Sequence, residues 1–291
     1  MIEKLAIIGV GLIGGSVAMA LREEGAVKEV VGCGRGEANL QKAQELGVID
    51  HYTHDVAQAV QGADMVLLAV PLGAMRETLQ AMYGHLTDGV VLTDAGSVKG
   101  SVVEDAKAVF QGMPDFFVPG HPVAGTERSG VEAAFPELYR NRRVILTPLP
   151  ETQAEALERV EQLWKQCGAE VTQMSVAHHD EVLAATSHLP HMLAYTLVDS
   201  LSRMKENDEI FRFTAGGFRD FTRIASSNPL MWRDICMANQ QALSGMLARF
   251  ADELHDLAGL LERGDAQGLL ALFESAKRAR DKYVDGVSKG K

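Results

Sequence analysis

The segment Gly9-Val10-Gly11-Leu12-Ile13-Gly14 constrains this chain more than any other, because it follows the apolar run Leu5–Ile8 and leads directly into a helical pattern. Glycines at this spacing between a strand and a helix form the dinucleotide-binding fingerprint. The first permits a tight turn, the second lets backbone amides approach a pyrophosphate, and the third lets the helix pack closely on the sheet. The helix amino end then favours the phosphate charge. Gly9, Gly11, Leu12, Ile13 and Gly14 are therefore candidate cofactor residues, joined by Val70 and Pro71 at the carboxyl end of another candidate strand. The uncharged stretch from Leu5 to Leu21 superficially resembles a signal peptide or a membrane span. Its glycine spacing argues against an apolar signal helix, and its length is at the short limit for a bilayer.

From Leu5 to about Met174, short apolar runs alternate with amphipathic stretches, as a parallel sheet covered by helices requires. Leu5–Ile8, Val30–Gly32, Met65–Val70, Val90–Thr93, Phe116–Val118, Val144–Leu146 and Val171–Met174 read as strands, with helices starting near Gly14, Asn39, Ala74, Ser101 and Thr152. From His178 onward helical periodicity dominates, with helices expected over Leu183–Met204, Pro229–Leu261 and Ala266–Val284. The fold class expected is α/β, with a Rossmann-type doubly wound parallel sheet in residues 1–175 followed by an all-α domain in 176–291. Stripes such as Met237, Leu243, Met246, Leu247 and Phe250 read as helical core or as a dimer seam rather than a cofactor box.

The chain carries 28 Lys and Arg against 39 Asp and Glu, a net charge of −11, which argues against a nucleic-acid partner and against docking on an anionic membrane. An anionic ligand would have to be held by local arginines. Cys33, Cys167 and Cys236 form no CxxC pair, so a reducing cytoplasm fits better than a disulfide framework.

Cofactor choice should be decided about 20 residues beyond Gly14, where an NAD enzyme usually places a carboxylate against the ribose 2′-hydroxyl. Gly34-Arg35 stands there instead. A missing carboxylate removes repulsion toward a 2′-phosphate and a guanidinium can bind one, so the expectation is NADP, or relaxed use of NADP and NAD.

Four further segments carry the chemistry. Gly120-His121-Pro122-Val123-Ala124-Gly125-Thr126-Glu127-Arg128-Ser129-Gly130 places one imidazole after the strand Phe116–Val118, in a loop at the sheet's carboxyl edge where ligands bind. Thr93-Asp94-Ala95-Gly96-Ser97-Val98-Lys99 ends a strand and puts Ser97 at an expected helix amino end, where an N-cap is the plain alternative. Ser187-His188-Leu189-Pro190-His191 opens the helical part, and Gly216-Gly217-Phe218-Arg219-Asp220-Phe221-Thr222-Arg223 offers arginines suited to carboxylates, with Trp232 shortly beyond. No metal is expected: a site built from His178, His179, Asp180, His188 and His191 would follow no HExxH-type pattern.

In this order and at these spacings, the glycine loop, DAGSVK, GHPVAGTERSG, SHLPH and GFRDFTRIA resemble the prephenate/arogenate (cyclohexadienyl) dehydrogenase family of tyrosine biosynthesis over essentially the whole chain. The ending Arg280-Asp281-Lys282-Tyr283 also looks like that family. The resemblance implies oxidative decarboxylation of prephenate or arogenate with hydride transfer to NAD(P), and a homodimer formed through the helical domain. It implies that His121 is the catalytic histidine, that Ser97 contacts its neighbourhood and the substrate's ring hydroxyl, and that Arg223 binds a substrate carboxylate. By the same resemblance Ser187, His191, Glu127, Gly217 and Trp232 line or gate the pocket. The missing acidic residue near Arg35 departs from the NAD-type members. Two other readings share the fold: a different hydroxy-acid dehydrogenase, for which no counterpart of the helical catalytic lysine is evident, and a non-catalytic NADP sensor, which would have no need of His121 or Arg223.

Overall fold

The computed structural model describes residues 1–126, 128–205 and 207–288, and Glu127 lies outside the described residues. The chain divides into two compact units, Met1–Leu243 and Ser244–Lys291. In the first, six strands form one parallel sheet: β1 (Ile2–Ile8), β2 (Val27–Cys33), β3 (His51–Thr53), β4 (Met65–Leu68), β5 (Val91–Asp94) and β6 (Phe117–Val118). Their order is β3-β2-β1-β4-β5-β6, the doubly wound arrangement, and it reverses between β1 and β4. Helices α1 (Leu12–Glu23), α2 (Glu37–Glu45), α3 (Val56–Val60), α4 (Met75–Met82), α5 (Lys99–Phe110) and α6 (Ala154–Gln166) belong to this part of the chain. The apolar character of β1 and β4 follows from burial on both faces: Leu5, Ile7, Met65 and Leu67 pack into one core cluster, while Ala6, Ile8, Val66 and Leu68 pack into another.

Two expected strands leave this sheet. Val144–Leu146 and Val171–Met174 fall in β8 (Arg143–Leu146) and β9 (Glu170–Gln173), which form a second sheet of order β7-β8-β9 with β7 (Gly120–Pro122). Strand β7 runs antiparallel to β8 and pairs His121 with Ile145. His121 is thus on a strand, not in a loop, because Pro119-Gly120 turns the chain out of one sheet and into the other without ending strand conformation.

After β9 come α7 (Val176–Leu183), a π-helical turn at Ala184–His188, α8 (Leu189–Ser202), α9 (Asn207–Arg212), α10 (Gly216–Thr222) and a 3₁₀ turn at Arg223–Ser226. The helix expected from Leu183 therefore opens in a wider π turn. The helix expected over Pro229–Leu261 is two, α11 (Pro229–Ala238) and α12 (Gln240–Glu262), broken at Asn239. Apolar periodicity continues through the break, which is why the sequence conceals it; the Asn239 side chain is buried and hydrogen-bonded, as described below. The second unit holds most of α12 together with α13 (Ala266–Ser288), and its Leu254, Leu261, Leu270, Leu272 and Phe273 are exposed. No helix among the described residues is long and apolar enough to cross a membrane.

Candidate active site

The glycine loop sits where the strand order reverses. Gly9 has a left-handed φ of +104°, and a Cβ there would lie 2.4 Å from the Ala69 carbonyl oxygen. A Cβ on Gly14 would meet the Gly9 carbonyl oxygen at 2.4 Å and Ile7 Cγ2 at 2.6 Å, so only glycine lets α1 approach β1 this closely. Gly11 instead faces open space, the position from which a backbone can approach a pyrophosphate. Leu12 and Ile13 begin α1 with no side-chain cap, which leaves the helix amino end free for an anion. Val70 and Pro71 follow β4 beside this loop: a Cβ on Gly9 would also lie 3.1 Å from Val70 N. The chain fits a dinucleotide at this crevice.

At the end of β2, Arg35 is exposed, and a carboxylate, Glu37, lies two residues on. Glu37 is fully engaged: Tyr52 Oη donates to Oε1 at 2.8 Å, Gln41 Nε2 donates to the same oxygen at 2.7 Å, and His54 Nε2 lies 2.5 Å from Oε2. The opposite ring nitrogen of His54 is 2.7 Å from the Gly34 carbonyl oxygen. The His54 and Tyr52 hydrogen bonds hold Glu37 below the ordinary carboxylate range.

Around His121 the structure assembles groups from three elements. His121 Nδ1 lies 2.8 Å from His179 Nε2, and His179 Nδ1 lies 2.7 Å from Asp180 Oδ1. Asp180 also accepts the Lys99 and Gly100 backbone N–H groups, each at 2.8 Å, so it caps α5 from α7. This corrects the expectation for Ser97: Val98 is the N-cap position and the half-buried Ser97 stands two residues before the helix. Among the described residues Ser97 makes no hydrogen bond to His121. Burial alone would raise the Asp180 pKa, but the bonds from His179, Lys99 N and Gly100 N bring it below the ordinary value.

The tautomers follow from the chain of partners. Ionised Asp180 can only accept, so His179 Nδ1 carries the proton and its Nε2 is bare. His121 Nδ1 must then donate to His179, which leaves the lone pair on His121 Nε2. Burial, followed by the neighbouring charges of His179, Lys99 and His188, pushes the His121 pKa well below its ordinary value.

Beneath His121 is a fully buried ion pair, Lys99 with Asp94, both side chains at 0% exposure. Lys99 Nζ donates to the Gly120 carbonyl oxygen at 2.6 Å, while Asp94 accepts Gly120 N at 3.0 Å and Gly96 N at 2.7 Å. One pair therefore clamps the strand carrying His121 and the loop carrying Ser97. Burial lowers the Lys99 pKa, opposed by the Asp94 charge.

Of the other expected residues, His191 stacks on Trp232 with ring centroids 3.6 Å apart, and its Nδ1 meets the Ser187 carbonyl oxygen at 2.9 Å. Ser187 lies within the π turn. Gly217 on α10 and Arg223 on the following turn are exposed, and that turn packs against α8. The groups that sequence reasoning did not assign to this site are Asp94, Lys99, His179, Asp180, His188 and Asn239. The signals were the DAGSVK segment itself, the SHLPH segment that holds His188, and the adjacent His178-His179-Asp180, weighed there together with His188 and His191 as a metal set.

Comparison with known proteins is consistent across the chain. Residues 17–173 match the nucleotide-binding domain of prephenate dehydrogenase, and residues 175–275 match the prephenate dehydrogenase dimerization domain. The cyclohexadienyl dehydrogenase of Zymomonas mobilis is 40% identical over 281 residues, covering 96% of this chain and 95% of that protein. The prephenate dehydrogenase of Bacillus subtilis is 36% identical over 96% of this chain and 76% of its own length. The crystal structure of prephenate dehydrogenase from Aquifex aeolicus in complex with hydroxyphenyl propionate and NAD+ superimposes with a TM-score of 0.90 at 36% identity, covering 97% of this chain and 98% of that one.

Proposed function

The chain belongs to the prephenate dehydrogenase family, and from that premise we propose the following reading of its activity and site. It is an NAD(P)-dependent dehydrogenase that oxidatively decarboxylates a cyclohexadienyl acid, prephenate or arogenate, in tyrosine biosynthesis. The observation that carries the site assignment is the chain from Asp180 through His179 to His121, which leaves His121 Nε2 as a neutral, buried base. In this reading His121 Nε2 takes the proton of the substrate's C4 hydroxyl as the C4 hydrogen departs with its electron pair. The bond to the ring carboxylate then breaks, releasing carbon dioxide and restoring the aromatic ring. The bound nicotinamide supplies the hydride acceptor. His179 and Asp180 hold the imidazole in register and delocalise the charge it gains, while Lys99 and Asp94 fix the strand beneath it.

Ser97 contacts the C4 hydroxyl and Arg223 holds a substrate carboxylate; Ser187, His191, Glu127, Gly217 and Trp232 line the pocket. Gly9, Gly11, Leu12, Ile13, Gly14, Val70 and Pro71 hold the dinucleotide. The functional division is a cofactor domain over 1–175 and a substrate and dimerisation domain over 176–291. The exposed apolar residues of the second unit support a homodimer, and three unpaired thiols fit a reducing cytoplasm.

NADP, or dual use, is favoured over strict NAD dependence because Glu37 is tied to His54, Tyr52 and Gln41, which leaves Arg35 as the uncommitted charge at the end of β2. Initial rates at 340 nm with prephenate and arogenate, each paired with NAD and NADP, test this reading. A strong preference for NAD would remove the role of Arg35. His121→Asn should lower kcat by about 10²–10⁴-fold with little change in KM, whereas Arg223→Ala should mainly raise KM. The reverse pattern would overturn the roles.

A further inference from the structure

His188 ends the π turn, is 1% exposed, and has a buried Nε2 without a hydrogen-bond partner among the described residues. Its tautomer can nevertheless be read from its surroundings. Asn239, at the break between α11 and α12, donates Nδ2–H to the Asp180 carbonyl oxygen at 2.8 Å. That carbonyl fixes the amide orientation, because the flipped amide would set two oxygens face to face. The same Nδ2 lies 3.2 Å from His188 Nδ1 and can only donate to it. The neutral ring therefore carries its proton on Nε2, pointing a donor at no protein acceptor. Burial lowers the His188 pKa to about 4, so the ring is neutral at pH 7.

A second orphan lies alongside. Trp232 Nε1–H is also buried and unpartnered among the described residues, and its ring stands edge-on to His188 with centroids 6.1 Å apart. Burying two donors without acceptors is costly, so apolar residues would serve a purely structural role better. A π turn is a frequent mark of functional positions in helices. Resting on the reading above, we propose that His188, held as its Nε2–H tautomer by Asn239, forms with Trp232 a pair of neutral donors that binds an oxygen acceptor of the substrate, a carboxylate or a keto oxygen. Neither group can accept, so the pair does not take an ammonium. His188 is then a substrate-binding residue and Asn239 a positioning residue.

The test uses full-length enzyme, with wild-type turnover established first so that failure of the overall reading is seen separately. His188→Leu should lower kcat/KM about 10–100-fold while leaving the dissociation constant for the dinucleotide unchanged. His188→Gln, which retains a donor near Nε2, should recover part of the loss. An equal loss with prephenate and arogenate identifies a shared carboxylate, and a loss confined to prephenate identifies its keto oxygen.

Asn239→Asp is the decisive variant. Its carboxylate would take the proton of His188 Nδ1 as a partner and raise the pKa of His188. The other titratable groups facing that ring are Asp180 and His179 on α7, His191 on α8 and His121 on β7. Below the new pKa the imidazolium still offers Nε2–H; above it the bare Nε2 faces the substrate oxygen. The kcat/KM profile of Asn239→Asp should therefore gain a falling alkaline limb absent from wild type, which a loss of packing alone would not produce. A profile of wild-type shape, or His188→Leu within twofold of wild type in kcat/KM, would overturn the proposal.

Discussion

Replacing Lys99 with Met probes the foundation of the site. The ammonium is fully buried against Asp94 and donates to the Gly120 carbonyl oxygen. Met keeps most of the volume and removes the charge. Breaking a buried ion pair from one side typically costs about 3–5 kcal/mol, because the partner is left charged in a low dielectric. Asp94 would still accept the Gly96 and Gly120 N–H groups, which places the cost near the lower end, about 3 kcal/mol. With a urea m-value near 3 kcal/mol/M, the unfolding midpoint should fall by about 1 M. Because the Gly120 carbonyl precedes His121, kcat should fall as well, while dinucleotide affinity should hold, the glycine loop lying across β4 from this pair. Urea unfolding followed by circular dichroism, alongside initial rates, measures both effects. A midpoint shift below about 0.3 M, or roughly 1 kcal/mol at that slope, would refute the reasoning that this charge pair is uncompensated by anything else.

Three further outcomes are expected. Asp180→Asn should release His179 into the wrong tautomer and lower kcat by about 10²–10⁴-fold, as loss of a tautomer-setting carboxylate does elsewhere; a change under threefold in steady-state kcat would break the relay argument. Gly14→Ala should weaken dinucleotide binding at least tenfold and destabilise by about 1–3 kcal/mol, since the new methyl meets a backbone oxygen at 2.4 Å; fluorescence titration with NADH and NADPH and a thermal melt test this. Acid should also destabilise the fold through His188. Its folded pKa of about 4 lies below the unfolded value of 6.5, so the unfolded chain binds more protons between those values. The stability is complete above about pH 6.5 and is lost as pH falls toward 4, about 2 kcal/mol of it by pH 5. The melting temperature of wild type should therefore fall more steeply than that of His188→Leu as pH drops from 6.5 toward 4; parallel curves would contradict this.

What the sequence conveyed follows from which interactions are local. The β1-loop-α1 unit was legible because the turn, the close approach of Gly14 to Ile7 and the helix start all fall within a few residues. The central strands were legible because burial on both faces demands continuous apolar runs. Strand β3, with only His51–Thr53 and an exposed histidine, carries no such run and was missed. The departure of β8 and β9 into a second sheet leaves no local mark either: β8 is apolar as any central strand is, and the turn at Pro119-Gly120 reads equally as a loop. The break at Asn239 was hidden because its cause is long-range, a buried amide bonded to Asp180 and His188, residues far away in sequence.

The same distinction explains the partial legibility of the site. His121, Ser97 and Arg223 stand in segments with local signatures, whereas the groups that set the His121 tautomer and burial arrive from the helices after β9. Asp180 serves two masters: it caps α5 through Lys99 N and Gly100 N, and it orders His179. A carboxylate recruited only to finish a helix would not require a histidine beside it, and one recruited only to orient a histidine would not need the α5 amides. Joining both tasks in one side chain ties the end of α5, where Lys99 begins, to the imidazole that Lys99 supports through Gly120. The position of the base and its protonation state thus depend on one another, so that a displacement of α7 from α5 would unmake the tautomer and the cap together.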